Sequence, residues 1–86
     1  MLHFAVERAR TKILEVIPHK DFSLDITLSD HRHLSLDMKS FLQSPAYKKL
    51  SHIGFFLSVK HDYRLIYWDE SHDMHIDQIL SFAKEA

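Results

Sequence analysis

FSLDITLSDHRHLSLDM, residues 22–38, consists of two alternating runs joined by a short polar break. In the first, Phe22, Leu24, Ile26 and Leu28 alternate with Ser23, Asp25, Thr27 and Ser29; in the second, Leu34, Leu36 and Met38 keep the same period. Side chains on a strand point alternately to its two faces, so a period of two marks a strand with one buried and one wet face, typical of antiparallel sheets. The three residues DHR, Asp30 to Arg32, are short enough to make the pair a hairpin.

Toward the N-terminus, KILEVI is rich in β-branched residues, stops at Pro18 and reads as a preceding strand. Ahead of it, Leu2, Ala5, Val6 and Ala9 recur at the spacing of one helix face. So short a helix is not stable alone in water, so the arm over residues 1–11 is expected to dock, folding back over an apolar sheet face or exchanging with another copy. Toward the C-terminus, SFLQ fits one helical turn, and SPAYKKL offers Ser44 as N-cap with Pro45 in the first helical position. HIGFFLSVK and YRLIYW, separated by HD, have strand composition and read as a second hairpin. Ile76, Ile79, Leu80 and Ala83 restore the helical spacing. The order predicts an α+β fold: a mainly antiparallel five-stranded sheet (β3-α-β2-α) with helices on one face and a short N-terminal helical arm. At 86 residues the chain is one domain, 1–86.

Composition narrows function by exclusion. Eleven Lys and Arg against twelve Asp and Glu give no electrostatic case for nucleic acid or an anionic membrane. No apolar run is long enough to span a bilayer. The absence of cysteine removes thiol catalysis and Cys-based zinc sites and fits a reducing, cytoplasmic setting.

The segment YWDESHDMHID, Tyr67 to Asp77, crowds histidines and carboxylates together. The chain has one glycine and no asparagine, yet needs several tight turns. Asp and His tolerate left-handed backbone better than most residues, so His31, His61 and His72, each beside an aspartate, and His19, two residues before one, read as turn formers. Metal binding is the competing account. His31 and His33, or His72 and His75, could each supply two imidazoles, but no third ligand stands at a recognised spacing. Asp69, Glu70, Asp73 and Asp77 read as solvated carboxylates rather than acid/base catalysts, with Asp77 favoured in the first turn of the last helix. With no nucleophile elbow and no phosphate-cradling loop, the chain reads as a non-enzyme needing no cofactor.

Three of the five expected strands are apolar on both faces. If Ile53, Phe55, Leu57 and Val59 face the helices, an outer patch collects Ile13, Ile17, Phe56, Ile66 and Trp68, larger than a small monomer leaves in water. Trp68, Tyr67, Arg64 and Phe56 are the residue types that dominate interface energetics. The expectation is a module that binds a protein partner or itself, a homodimer included, through strand edges and this face. The alternative is a metal- or small-ligand-binding protein using the His72, Asp73, His75 turn.

From about Lys12 to Leu80 the chain resembles a bacterial family of small proteins catalogued as domain of unknown function 2442. The resemblance rests on FSLDITLSDHRHLSLDM as strand, aspartate-led turn and strand; on FLQSPAYKKL as short helices; and on Trp68 standing five residues before Asp73 and eleven before Ile79. The chain departs from the family pattern at His31 and Ser71, where glycine is usual, and at Ile76, where proline usually opens the last helix. The resemblance implies an α+β domain without known catalysis, acting as the antitoxin-like or adaptor member of a small two-protein system. It implies no direct nucleic-acid role for a chain lacking a helix-turn-helix.

Overall fold

The computed structural model describes residues 11–86. The expected helical arm, Thr11 apart, lies outside the described residues. The elements run β1 (Ile13–Pro18), β2 (Ser23–Leu28), β3 (His33–Asp37), two 3-10 segments (Lys39–Gln43 and Pro45–Ser51), α1 (Ile53–Phe56), β4 (Lys60–His61), β5 (Leu65–Asp69), β6 (His72–His75), α2 (Ile76–Phe82) and β7 (Lys84–Glu85). The fold is α+β, but the single five-stranded sheet is corrected. The described residues form two antiparallel sheets, one of four strands in the order β1-β2-β3-β7 and one of three in the order β4-β5-β6.

The β2–β3 hairpin forms as its alternation dictates. Leu24 pairs with Leu36 and Ile26 with Leu34, and all four are buried, while Ser23, Asp25, Thr27, His33, Ser35 and Asp37 occupy the other face. The following segments are also as read, in 3-10 form: the Ser44 side chain accepts from the Ala46 N–H and Pro45 opens the segment, where its missing N–H is no loss.

The fold departs from expectation at residues 52–59, which form no strand. Ile53, Phe56 and Leu57 stand at i, i+3 and i+4, so the run fits a helix as well as a strand, and short apolar runs are ambiguous in this way. Here the helix wins. Phe56 N–H donates to the His52 carbonyl and Leu57 N–H to that of Ile53, each at 2.9 Å. Carbonyls at a helix end need outside donors. The Trp68 indole N–H supplies one to Phe56 at 2.9 Å, and the Ser58 hydroxyl another to Phe55 at 2.6 Å.

Two strands fall where none was expected. β6 takes up HDMH, with Ile66 opposite Met74, and β7 lays Lys84 against Ser35. One apolar cluster, including Leu24, Leu36, Leu50, Phe56, Ile66, Met74 and Ile79, joins both sheets and the helices.

The histidine turn reading holds at one position. Among the described residues, positive φ occurs outside glycine at His31 (φ 73) and Phe22 (φ 66). His61 lies in β4 and His72 in β6, and in the turn after β1 the left-handed residue is Phe22 rather than His19 or Asp21. Tertiary contact explains the choice. With this backbone the Phe22 ring meets Phe56 edge-on at 5.2 Å and the Phe22 carbonyl accepts from Met38 N–H at 2.9 Å.

Candidate interaction surface

With α1 helical, the outward and inward faces of β5 exchange. Ile66 and Trp68 point into the core, and Leu65, Tyr67 and Asp69 lie on the other face, half-buried. A strand's side chains change face together, so a shift of one residue moves the whole apolar set. The expected patch is therefore corrected: Ile13, Phe56, Ile66 and Trp68 are all buried within the chain. Trp68 and Phe56 stack with ring centroids 6.0 Å apart. Arg64 is partly buried and donates to the Thr11 carbonyl at 2.6 Å, fastening the start of β1 to the turn before β5. Of the residues named for an interface, Ile17 alone is well exposed, at 43%, and Tyr67 is half-buried.

Other apolar side chains occupy the surface instead. Ile53 at the start of α1 and Leu57 at its C-cap stand one helical turn apart and are 39% and 37% exposed, while Phe56 between them is fully buried. Phe82 ends α2 beside Phe41, ring centroids 5.1 Å apart, and Leu14 and Tyr63 are exposed near the start of β1 and ahead of β5. The i, i+4 spacing of Ile53 and Leu57 was visible in the sequence once residues 52–57 are wound as a helix.

The sheet edges are poorly suited to accepting another strand. In an antiparallel ladder, residues alternate between pairs that exchange both backbone hydrogen bonds and pairs that exchange none. His19 N–H donates to the Ser23 carbonyl, so Ile17 and Glu15 bond toward β2, while Val16 and Pro18 turn their backbone outward. Pro18 has no N–H to offer, a bulge interrupts the register between Ile13 and Glu15, and Ile13 N–H is already donated to the Tyr63 carbonyl at 2.7 Å. Proline and bulges are common ways of closing an edge. On β6 two of the outward groups are engaged: the Asp73 carbonyl accepts from the Tyr47 hydroxyl at 3.1 Å and His75 N–H donates to Gln78 at 3.3 Å. β4 and β7 are two residues each. Binding through strand edges, part of the sequence expectation, is thus disfavoured; side chains must carry recognition.

Asp69 organises the tip of the β5–β6 hairpin. One carboxylate oxygen accepts from Ser71 N–H at 2.9 Å and from His72 Nδ1 at 2.7 Å, and the other from Lys49 Nζ at 3.0 Å. The His72 bond first, then the Lys49 bond, holds its pKa well below the ordinary 3.8. Lys49 also lies over the Phe55 ring, 4.5 Å from its centroid, and Phe55 meets His72 edge-on. This cluster ties α1, the Pro45–Ser51 segment and the hairpin together. The Lys49 contact spans twenty positions and has no local signal in the sequence.

The metal candidates do not converge. His72 shares a face of β6 with buried Met74, whereas His75 and Asp73 alternate to the opposite face, so His72 and His75 cannot close on one ion. His75 instead caps α2, its Nδ1 accepting from Asp77 N–H at 3.3 Å. His31 sits in the β2–β3 turn, and His33 pairs with the Thr27 hydroxyl at 3.3 Å. Among the described residues, no three His, Cys, Asp or Glu side chains gather as metal ligands do. Among the same residues, no helix is long and apolar enough to cross a membrane.

A family model described as Protein of unknown function (DUF2442) matches residues 13–85, from the first residue of β1 to the last of β7. No curated protein and no solved structure matches the chain.

Proposed function

The chain belongs to the DUF2442 family, and we propose that it is a protein-binding module whose recognition surface is the exposed ridge of α1, Ile53 and Leu57. The observation that carries this reading is their exposure on a helix whose other side is locked to the core through Phe56. Aliphatic side chains held in water on a fixed element are a ready apolar contact, and a partner that covers them gains roughly 25 cal/mol for each Å² removed from water. The poorly available strand edges support side-chain docking over strand addition. In this reading the partner is a second small protein, which this chain serves as adaptor or antitoxin-like member, in the cytoplasm, without catalysis and without contact to nucleic acid.

The test is co-purification of the full chain, tagged, from its native host, beside the double variant Ile53→Ser, Leu57→Ser. Both positions are exposed, so the variant should keep the parent's circular dichroism and melt within a few degrees of it. The parent should retain one stoichiometric partner that the variant loses. Equal retention by a folded variant would place recognition elsewhere.

A further inference from the structure

The tip of the β5–β6 hairpin holds an imidazole in a chemically specific way. The His72 side chain is 15% exposed and its Nδ1 lies 2.7 Å from Asp69 Oδ1. An ionised carboxylate only accepts, so Nδ1 carries the proton of this bond and the lone pair of the neutral ring stands on Nε2. Among the described residues every buried side-chain nitrogen and oxygen has a partner; Nε2 of His72 makes no hydrogen bond, so it opens to solvent. Phe55 meets the same ring edge-on, centroids 5.9 Å apart. Asp69 is itself fixed, by Ser71 N–H and Lys49 Nζ, and the His72 bond first, then the Lys49 bond, keep its carboxyl charged.

An oriented imidazole with one open lone pair can ligate a metal or attack an electrophile. A metal needs further ligands, and none gather among the described residues. Covalent attack needs one nitrogen. As Nε2 shares its pair the ring becomes cationic, and the carboxylate bonded at Nδ1 stabilises that cation. Lys49 Nζ, 3.0 Å from the other Asp69 oxygen and 4.5 Å from the Phe55 centroid, adds a cation to the same cluster, which suits an anionic electrophile. We propose that Nε2 of His72 is a phosphoryl acceptor, taking the group from an acyl phosphate or a phosphoramidate. The Nε2 lone pair forms the new N–P bond while the donor's O–P or N–P bond breaks, its electron pair leaving with the carboxylate or the ammonia. The Nδ1 proton stays in its bond to Asp69, and nothing is oxidised or reduced. The phosphoryl group puts negative charge beside Phe55, on the cluster that fastens α1 to the hairpin. His19 is the nearest rival. Its Nε2 lies 2.7 Å from Asp25, but the two side chains are 44% and 54% exposed, where water weakens the pairing, and the nitrogen left open is Nδ1.

The test treats the full chain with phosphoramidate near neutral pH, reads the rate at each histidine by tandem mass spectrometry and assigns the modified nitrogen by nitrogen-15 and phosphorus-31 NMR. His72 should react at Nε2 about tenfold faster than His52, which is exposed and has no carboxylate partner among the described residues. In urea the two rates should converge, because the preference belongs to the fold. Asp69→Asn, studied where its circular dichroism matches the parent, should bring the His72 rate down to that of His52 and leave His52 unchanged. A folded parent in which His72 reacts no faster than His52, or reacts at Nδ1, would overturn the proposal. So would a preference that persists in urea, or a folded Asp69→Asn chain with the parent's His72 rate. The comparison of folded parent with urea needs no variant and decides the matter even if Asp69→Asn does not fold. None of these readouts involves Ile53 or Leu57, so they stand apart from whether α1 binds a partner.

Discussion

Replacing Trp68 by Phe separates a core tryptophan from a surface one. Trp68 is 4% exposed, stacks on Phe56 and donates its indole N–H to the Phe56 carbonyl at 2.9 Å. Phenylalanine keeps most of the ring contact and removes the donor, leaving the Phe56 carbonyl with only the long bond from Val59 N–H at 3.4 Å, at a cost of about 1–3 kcal/mol. The smaller ring adds a cavity cost of about 1 kcal/mol. The sum, roughly 2–4 kcal/mol, is a large share of the total for a chain of this size, about 4–13 kcal/mol at 0.05–0.15 kcal/mol per residue. Small domains lose about 4–8 °C of melting temperature per kcal/mol, so Trp68→Phe should melt roughly 10–30 °C lower. Trp68→Ala, at about 3–5 kcal/mol, should leave much of the population unfolded. Because Trp68 is the single tryptophan, the melt must be followed by far-ultraviolet circular dichroism rather than fluorescence. Leu57→Ser is the surface control and should shift stability by no more than about 0.5 kcal/mol. A Trp68→Phe variant that melts within 2–3 °C of the parent, a shift of under about 1 kcal/mol, would refute both the burial of the indole and the helical reading of residues 53–56 that depends on it.

Two further outcomes probe the turns and the hairpin tip. His31 holds φ at 73, a conformation costing a side-chain-bearing residue about 1–2 kcal/mol, so His31→Gly should raise the urea midpoint modestly and His31→Val should lower it. Phe22 is also left-handed, but its ring packs on Phe56, so Phe22→Gly should lower the midpoint; a gain there would mean the aromatic contact contributes little. For Asp69 the direction with pH follows from its lowered pKa. The carboxylate contributes stability fully above the ordinary value of 3.8, and that contribution is lost as pH falls through the still lower folded-state value. The stability gap between the parent and Asp69→Asn should therefore narrow as pH falls below about 4. A gap that widens below pH 4 would show that the bonds from His72 and Lys49 do not stabilise the charged form.

What the sequence made legible is what local pattern alone determines. The β2–β3 hairpin could be read because its alternation persists on both sides of the turn and leaves no second way to bury Leu24, Ile26, Leu34 and Leu36. Residues 52–59 could not, because Ile53, Phe55, Phe56 and Leu57 satisfy a period of two and a period near 3.6 alike. What separates the two is a contact twelve positions away, the indole of Trp68 on the carbonyl of Phe56. β6 was hidden for a related reason: HDMH has one inward apolar residue, Met74, and becomes a strand only by pairing with β5. The Phe22 turn was lost to a tertiary aromatic contact, where a propensity argument favoured the histidine or aspartate beside it.

These departures share a root, and it bears on function. Once residues 53–56 wind into a helix, Phe56 turns inward, Trp68 stacks on it and donates to its carbonyl, and Ile66 shares the face of Trp68 by strand parity. The residues best suited by type to an interface, an aromatic pair and a β-branched neighbour, become the interior that holds α1 in place. The same winding turns Ile53 and Leu57 out to solvent, since residues four apart on a helix share a face that Phe56 does not. The large aromatic anchors support the surface from beneath, and the aliphatic ridge they position is what a partner would meet. A sequence reading that ranks interface residues by type alone selects Trp68 and Phe56, and passes over the two side chains that these aromatics hold in place.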